Sequence, residues 1–318
     1  MATFQEMLAA IKNEDTITIW GHAIPDGDCY GSQIGLREII RANFPDKKVY
    51  ALGSGMPALF SRLSPMDDAD EETIASSLAI LVDVSCLRRV EDKRVFLAKK
   101  FAKFDHPDPN KHGEDFPYPD ACVDPKKIAC AELIENFAFV NRLKLTKLAA
   151  EALYTGIFTD SGCFRFYGTN QGTFQAIRRL VEEGIKPLSI RAILEREPEN
   201  VKRFKAFLRS KVQKNKNVTY AIIGPKDYLP FGLSYEEAGS LVNAIETVKS
   251  PSIYCLFTED GKGEYRGELR SDAGYPVQPT ATHFRGGGHL FAAGTSTYSE
   301  EECLKVVEEL TRVEKLPL

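Results

Sequence analysis

The run IWGHAIPDGDCYGS, residues 19–32, ends an apolar segment in a histidine and two aspartates, His22, Asp26 and Asp28, spaced as H-x3-D-x-D. Imidazole nitrogen and carboxylate oxygen are ligands for divalent cations, and an ionised carboxylate is costly to bury without a partner. Three further stretches carry the same chemistry. LAILVDVS brings an apolar run to Asp83, FAKFDHPDPN brings another to Asp105 and His106, and YTGIFTDSGCF places Asp160 after a helical pattern. Gathered in one crevice, Asp26, Asp28, Asp83 and Asp160 would repel one another and raise some of their pKa values unless cations neutralised them. Two divalent ions balance four carboxylates. Oxygen and imidazole donors without thiolate suit an octahedral ion such as Mn2+ better than structural zinc. A pair of ions about 3.5–4 Å apart activates a water and stabilises an in-line phosphoryl displacement, so hydrolysis of a phosphate ester is the reaction this set points to. The same aspartates also have plainer uses: Asp28 as the cap of a helix beginning near Gly31, Asp160 as a turn anchor. Asp105 is read as a partner that orients His106 rather than as a ligand.

The elements that must position these groups follow from the pattern. Up to about Gly184, short apolar runs (TITIW, KKVYAL, LAILVDV, FAKFDH) alternate with helical patterns (GSQIGLREIIRANF, KIACAELIENFAFV, TKLAAEALYTGIF). Such alternation predicts an α/β fold whose N-terminal parallel sheet carries helices on both faces, with ligands at the carboxyl ends of the strands. A charged helical stretch follows as a connector. Beyond it, VTYAIIG, SYEEAGSLVNAIETVK, SIYCLFTED, GEYRGELRS and SEEECLKVVEELTRVEK predict a smaller C-terminal mixed-sheet α/β domain. The boundaries read as 1–190 for the catalytic domain, 191–216 for the helical connector and 217–318 for the substrate-binding domain.

Composition narrows the setting. The chain has 318 residues, 43% of them hydrophobic, and a formal charge of −4, which argues against a grip on long duplex DNA, since that requires a basic stripe. No stretch reaches the length of a membrane helix, and the start MATFQEMLAAIKNEDTITIW has neither the basic nor the apolar region of a signal peptide. The seven cysteines form no C-x-x-C pair and read as reduced thiols, consistent with a cytoplasmic protein. Cys29 and Cys163 are expected to be small buried residues, and Phe158, Phe164 and Phe166 to fill the core.

In order along the chain, GHAIPDGDCYGS, LVDVS, FDHPDPN, TGIFTDSGCF and the distal ELRSDAGYPVQPTATHFRGGGHLFAAG resemble the motifs of the DHH phosphoesterases with their DHH-associated C-terminal domain. The resemblance spans nearly the whole chain. It implies two Mn2+ ions, with Mg2+ as the alternative, in a cleft between two domains. His22, Asp26 and Asp83 would ligate one ion and Asp28, Asp83, His106 and Asp160 the other, with Asp83 bridging. Arg270, Ser271, Arg285, Gly286, Gly287, Gly288 and His289 would hold substrate, the guanidinium as a bidentate fork and the glycines through bare amides. Asp28, Asp83, His106 and His289 would carry catalysis. The two-domain length is similar to that of family members acting on short RNA and on small nucleotides such as adenosine 3′,5′-bisphosphate or linear dinucleotides. Two readings stay beside this one: a nucleotide- or metal-binding protein with weakened catalysis, and a phosphoesterase for a cyclic dinucleotide or a non-nucleotide substrate. A membrane partner is not expected, and a homodimer is left open.

One position departs from the family pattern. The name-giving Asp-His-His is here Asp105-His106-Pro107. The resemblance places the second histidine toward the substrate phosphate, so Pro107 spares the ligand set and removes a phosphate donor; His112 downstream reads as a solvated loop residue. A charge-assisted hydrogen bond is worth about 1.5–3 kcal/mol, or roughly ten- to a hundredfold in rate when made only in the transition state. Pro107→His should therefore speed hydrolysis of a generic phosphodiester by about that factor in steady-state assays; an unchanged rate would mean that another group fills the place.

Overall fold

Runs rich in Ile, Val and Leu form strands whose side chains alternate between two covered faces, which gives each sheet two apolar sides to bury. The computed structural model describes residues 2–106, 120–166, 168–196, 198–245, 253–271 and 274–316. The chain divides into two units, Met1–Glu195 and Arg196–Leu318.

The first unit contains α1 (Phe4–Lys12), β1 (Thr16–Trp20), α2 (Gly27–Asn43), β2 (Lys48–Leu52), α3 (Pro57–Phe60), α4 (Glu71–Ala75), β3 (Leu78–Val82), β4 (Lys100–Asp105), β5 (Ala121–Val123), α5 (Cys130–Val140), α6 (Lys147–Asp160), α7 (Gln171–Glu182) and α8 (Pro187–Leu194). Its five strands pair in parallel in the order β2-β1-β3-β4-β5. On one face Ile17, Ile19, Ile80, Val82 and Phe104 pack with α1, α2, α5, α6 and α7. On the other, Trp20, Ala79 and Leu81 meet Ile74 of α4 and the tight turns carrying Leu87 and Val95. The two faces are therefore covered unequally: long helices on one, a short helix and single turns on the other.

Two helices come closer than side chains normally permit. Gly27, Gly31 and Gly35 recur every four residues on α2 and so share one face. There a Cβ on Gly31 would collide with the carbonyl oxygen of Ala152 on α6, and one on Gly35 would lie 2.5 Å from Leu153 Cδ2. From the opposite side, a Cβ on Gly156 would lie 2.7 Å from Asp28 Oδ1. Backbone on backbone contact at this crossing brings the first turn of α2 beside the last turn of α6, where Asp160 sits.

The second unit contains α9 (Glu199–Ser210), β6 (Gln213–Asn215), β7 (Val218–Ile223), α10 (Pro225–Tyr228), α11 (Tyr235–Gly239), β8 (Ile253–Glu259), β9 (Tyr265–Ser271), α12 (Gln278–His283), β10 (Gly287–His289), β11 (Ala292–Thr297) and α13 (Glu300–Leu310). Six strands run β10-β11-β9-β8-β7-β6, antiparallel except for the β7–β8 pair. Cys255, Phe257 and Leu269 face Val306 and Leu310 of α13, while Ala221, Ile223 and Leu256 face Phe204 and Leu208 of α9. Within residues 191–216, the end of α8 packs on the first unit and α9 belongs to the core of the second. The stretch SYEEAGSLVNAIETVK, read as one helix, stops its α-helix at Gly239 and tightens into a 3-10 turn over Ser240–Ile245. A Gly-Ser pair in mid-helix is a common place for such a break.

Gly31→Ala should force α2 and α6 apart and destabilise the first unit by about 1–3 kcal/mol. Thermal unfolding should show it as a drop of about 2–4 °C in Tm for each kcal/mol; an unchanged Tm would mean that the helices yield freely at this crossing.

Candidate metal centre

Three parallel strands end at one edge, and each delivers a ligand-type residue there. His22 follows β1, pinned by a backbone bridge to Val90. Asp83 follows β3 in a left-handed conformation, φ 53°, with its N–H donating to the carbonyl oxygen of Phe104. His106 follows β4 and donates its backbone N–H to the carboxylate of Asp105, which a buried Lys103 ammonium also engages at 3.1 Å. Asp83 is the hub. His22 Nε2 lies 3.5 Å from its Oδ2 and His106 Nε2 lies 3.4 Å from its Oδ1. His22 Nε2 is also 3.9 Å from Asp26, and His106 Nε2 is 3.8 Å from Asp28 and 3.4 Å from Asp160. His22, Asp26, Asp28, Asp83, His106 and Asp160 thus converge within one unit. Pro107 and His112 lie outside the described residues.

Orientation comes from the surrounding backbone. His22 Nδ1 faces the carbonyl of Ala23 at 2.9 Å and His106 Nδ1 that of Lys127 at 3.3 Å. A carbonyl only accepts, so each Nδ1 carries a hydrogen and each Nε2 is turned to the carboxylates. Asp26, not Asp28, caps α2, accepting from the N–H groups of Asp28 and Cys29 at 3.0 Å each. Asp28 caps a different helix. Fully buried, it accepts from the N–H groups of Cys130 and Ala131 at 2.7 and 2.9 Å, at the start of α5, which has no side-chain cap of its own. A helix N-terminus favours negative charge, so a carboxylate is the fitting group at that place.

The electrostatics describe a site that holds protons where cations would sit. Burial alone would raise Asp83, yet hydrogen bonds from His106 and His22 hold it down at about 2. Burial works against charge on His22, but the hydrogen bond to Asp83 overrides it and carries the imidazole to about 12. Burial, aided by Asp83 and Asp26 against the attraction of His106, pushes Asp160 up to about 7. The donor set fits divalent ions. Bonds of about 2.1 Å in octahedral geometry put neighbouring donors about 3 Å and opposite donors about 4.2 Å apart, and the 3.4–3.9 Å pairs lie in that window. Asp28, Asp83 and His106 form one group of ligand atoms within 4.8 Å, and His22, Cys29 and Asp83 form a second. Burial pushes the Cys29 thiol up to about 11, which keeps it protonated and a poor ligand.

Comparison with known proteins gives the chain a family. Residues 16–157 match the DHH family, N-terminal domain, and residues 215–315 match the DHHA1 domain. The probable bifunctional oligoribonuclease and PAP phosphatase NrnA of Streptococcus mutans is 32% identical over 99% of this chain and 100% of its own length. The chain belongs to the DHH family. The bifunctional oligoribonuclease and PAP phosphatase NrnA of Bacillus subtilis is 31% identical over 96% of each chain. A crystal structure of an exopolyphosphatase-related protein from Bacteroides fragilis shares the fold, with a TM-score of 0.83 over 96% of this chain and 94% of that one at 23% identity. DHH phosphoesterases are metal-dependent, and the acidic groups around Asp83 are this chain's candidates to hold the metal.

In the DHHA1 domain the expected substrate residues lie near one sheet edge. His289 pairs with Ala292, and Ala292 with Arg270, so His289 and Arg270 stand in one row on the same face. Ser271 lies one residue on, on the opposite face, and donates to the carbonyl of Tyr275. The Arg270 guanidinium touches Glu268 at 3.1 Å. Arg285 is paired with Glu302 at 2.6 Å and stacks over Tyr298. Gly286 and Gly288 have packing reasons to be glycine, since a Cβ on either would strike the backbone of β11, whereas Gly287 has open space around it.

Some residues sit elsewhere than expected. Cys163 is exposed, not buried, in a left-handed turn with Gly162 and Phe164 that closes α6. Phe158 and Phe164 do pack in the core, but Phe166 is about 40% exposed. The anchoring of Asp28 at the N-terminus of α5 leaves only one local sign in the sequence, a helix beginning at Ala129-Cys130 without a capping side chain. Ile24 leaves no sign of its conformation in the sequence; its φ of 58° is strained for a β-branched residue at a cost of order 1–3 kcal/mol.

Metal binding requires neutral imidazole and ionised carboxylate. With His22 at about 12 and Asp160 at about 7, the centre must shed protons to load, and affinity must fall as pH falls. Titration calorimetry with Mn2+ should show apparent affinity weakening about tenfold per pH unit for each proton displaced, more steeply below pH 7 as Asp160 protonates. A proton count of zero in buffers of different ionisation enthalpy would contradict this electrostatic picture.

Proposed function

We propose that this chain is a Mn2+-dependent phosphoesterase that cleaves short oligoribonucleotides and dephosphorylates small nucleotides such as adenosine 3′,5′-bisphosphate, with Mg2+ as the alternative ion. The observation that carries the reading is the convergence of His22, Asp26, Asp28, His106 and Asp160 around Asp83 in a chain alignable end to end with relatives named for that pair of activities. His22, Asp26 and Asp83 are proposed to hold one ion, and Asp28, Asp83, His106 and Asp160 the other. Bound there, the pair would polarise the phosphoryl group and lower the pKa of water.

The chain's own residues have the following parts. Asp83 sets the spacing of the two ligand groups, and the N–H groups of α5 hold the Asp28 carboxyl in place, while burial and the neighbouring Asp83 and Asp160 push its pKa up. Lys103 and Asp105 fix the backbone of His106 from below. Arg270, Ser271, Arg285, His289 and the glycines 286–288 are proposed to bind substrate, and His289 is proposed to act in catalysis as well. Residues 1–190 are assigned to catalysis, 191–216 to the connection and 217–318 to substrate binding. The unpaired cysteines support a cytoplasmic setting, and a homodimer is compatible with this assignment. Among the described residues no helix is long and apolar enough to cross a membrane.

A panel of linear dinucleotides, adenosine 3′,5′-bisphosphate, a cyclic dinucleotide and polyphosphate, incubated with Mn2+, tests the reading. Mononucleotide from the first and orthophosphate from the second are expected. Asp83→Ala should lose metal occupancy by calorimetry and turnover by at least about a hundredfold, the scale of removing a charged transition-state contact. Hydrolysis of polyphosphate alone, or a fully active Asp83→Ala, would overturn the proposal.

A further inference from the structure

The turn between β1 and α2 must bring His22 Nε2 and Asp26 Oδ1 to 3.9 Å of each other. A left-handed residue at the middle of the turn does this, and Ile24 supplies it with φ 58°. The turn is held from both sides: Ala23 donates its N–H to the carbonyl of Arg89, and Asp26 is fastened to the first turn of α2. The geometry explains the backbone angle but not the residue. Glycine meets a positive φ at no steric cost and asparagine at little, whereas isoleucine is among the worst residues there. Pro25 adds to the conflict, because the residue before a proline is driven toward extended backbone with negative φ.

The side chain gives the fold nothing in return. Ile24 is 82% exposed, the most exposed of the large apolar residues among those described. An apolar, strained residue left in solvent at a functional site is expected where another surface covers it. Its place names the surface. Ile24 stands two residues from His22 and two from Asp26, on the turn that carries both candidate ligands, so a group esterified to a phosphate held at the centre would lie beside this turn.

We propose that Ile24 contacts the nucleobase of the substrate and is a specificity-determining residue, favouring nucleotides over other phosphate esters. The inference rests on the phosphoesterase reading above and adds to it the group recognised beside the metal centre. A flat, weakly polar base is the part of a nucleotide that gains most from covering an aliphatic side chain, whereas the sugar hydroxyls and phosphates gain from staying in polar surroundings.

Titration calorimetry of the Mn2+-loaded protein with 5′-AMP and with ribose 5-phosphate separates base from phosphate binding without turnover. In the wild type AMP should bind more tightly. Ile24→Asn should weaken AMP about tenfold, equivalent to about 1.4 kcal/mol, and leave ribose 5-phosphate within about twofold, because the lost contact is apolar area. Ile24→Leu, which restores an aliphatic side chain, should retain AMP affinity. Relief of strain should raise Tm of Ile24→Asn by about 2–4 °C. Equal weakening of both ligands in Ile24→Asn, or loss of AMP binding in Ile24→Leu as well, would assign the effect to loop geometry and overturn the base contact. A wild type that binds neither ligand refutes the nucleotide reading itself and the inference with it.

Discussion

Mutual repulsion among carboxylates is the constraint around which the first unit is organised. Asp26, Asp28, Asp83 and Asp160 are brought together by strand ends and helix ends, and such a group holds together only with positive charge in its midst. Without cations, His22 and His106 supply that charge by staying protonated against Asp83, and Asp160 keeps its proton up to about 7. Divalent ions would replace those protons. The shift from proton-filled to cation-filled is the physical link between this fold and phosphate ester chemistry.

Holding such a group costs stability elsewhere, and the structure shows where the compensation lies. The glycine face of α2 lets α6 approach to backbone contact, which sets Asp28 beside Asp160. The uncapped start of α5 is completed by Asp28 from another helix, so one carboxylate both satisfies two backbone N–H groups and stays in reach of His106. Asp105 is stabilised by a buried lysine and in turn fixes the backbone of His106. Each anchor acts through atoms the chemistry does not consume. Left-handed backbone at Ile24 and Asp83 marks the two turns where position prevails over local comfort.

The second unit is built on a different plan, a mixed sheet with apolar residues on both faces. Gly286 and Gly288 are glycine because β11 leaves no room for a side chain, which a sequence cannot distinguish from glycine kept for a ligand. Arg285, expected to lend positive charge to substrate binding, is engaged by Glu302 and Tyr298. Gly287 has no such packing reason.

Much of this was legible in the sequence, for reasons that differ by residue. Strand runs of period two and helical runs of period 3.6 disclosed the layers, and strand ends at His22, Asp83 and His106 disclosed the ligand edge, because in a parallel sheet those ends necessarily lie together. The helix expected over SYEEAGSLVNAIETVK breaks after Gly239, since periodicity continues through a Gly-Ser pair at which the backbone tightens into a 3-10 turn. The plainer use open to Asp28, capping its own helix, falls to Asp26 instead, and the cap Asp28 does form, on α5, leaves no local mark in the sequence because it reaches across elements. Residue chemistry and order along the chain determined which groups are candidates to hold cations and what reaction such a set suits. Tertiary structure alone decided how close those groups come, which hydrogen bonds hold them, and that Ile24 stands strained and exposed, because these depend on contacts between segments far apart in sequence.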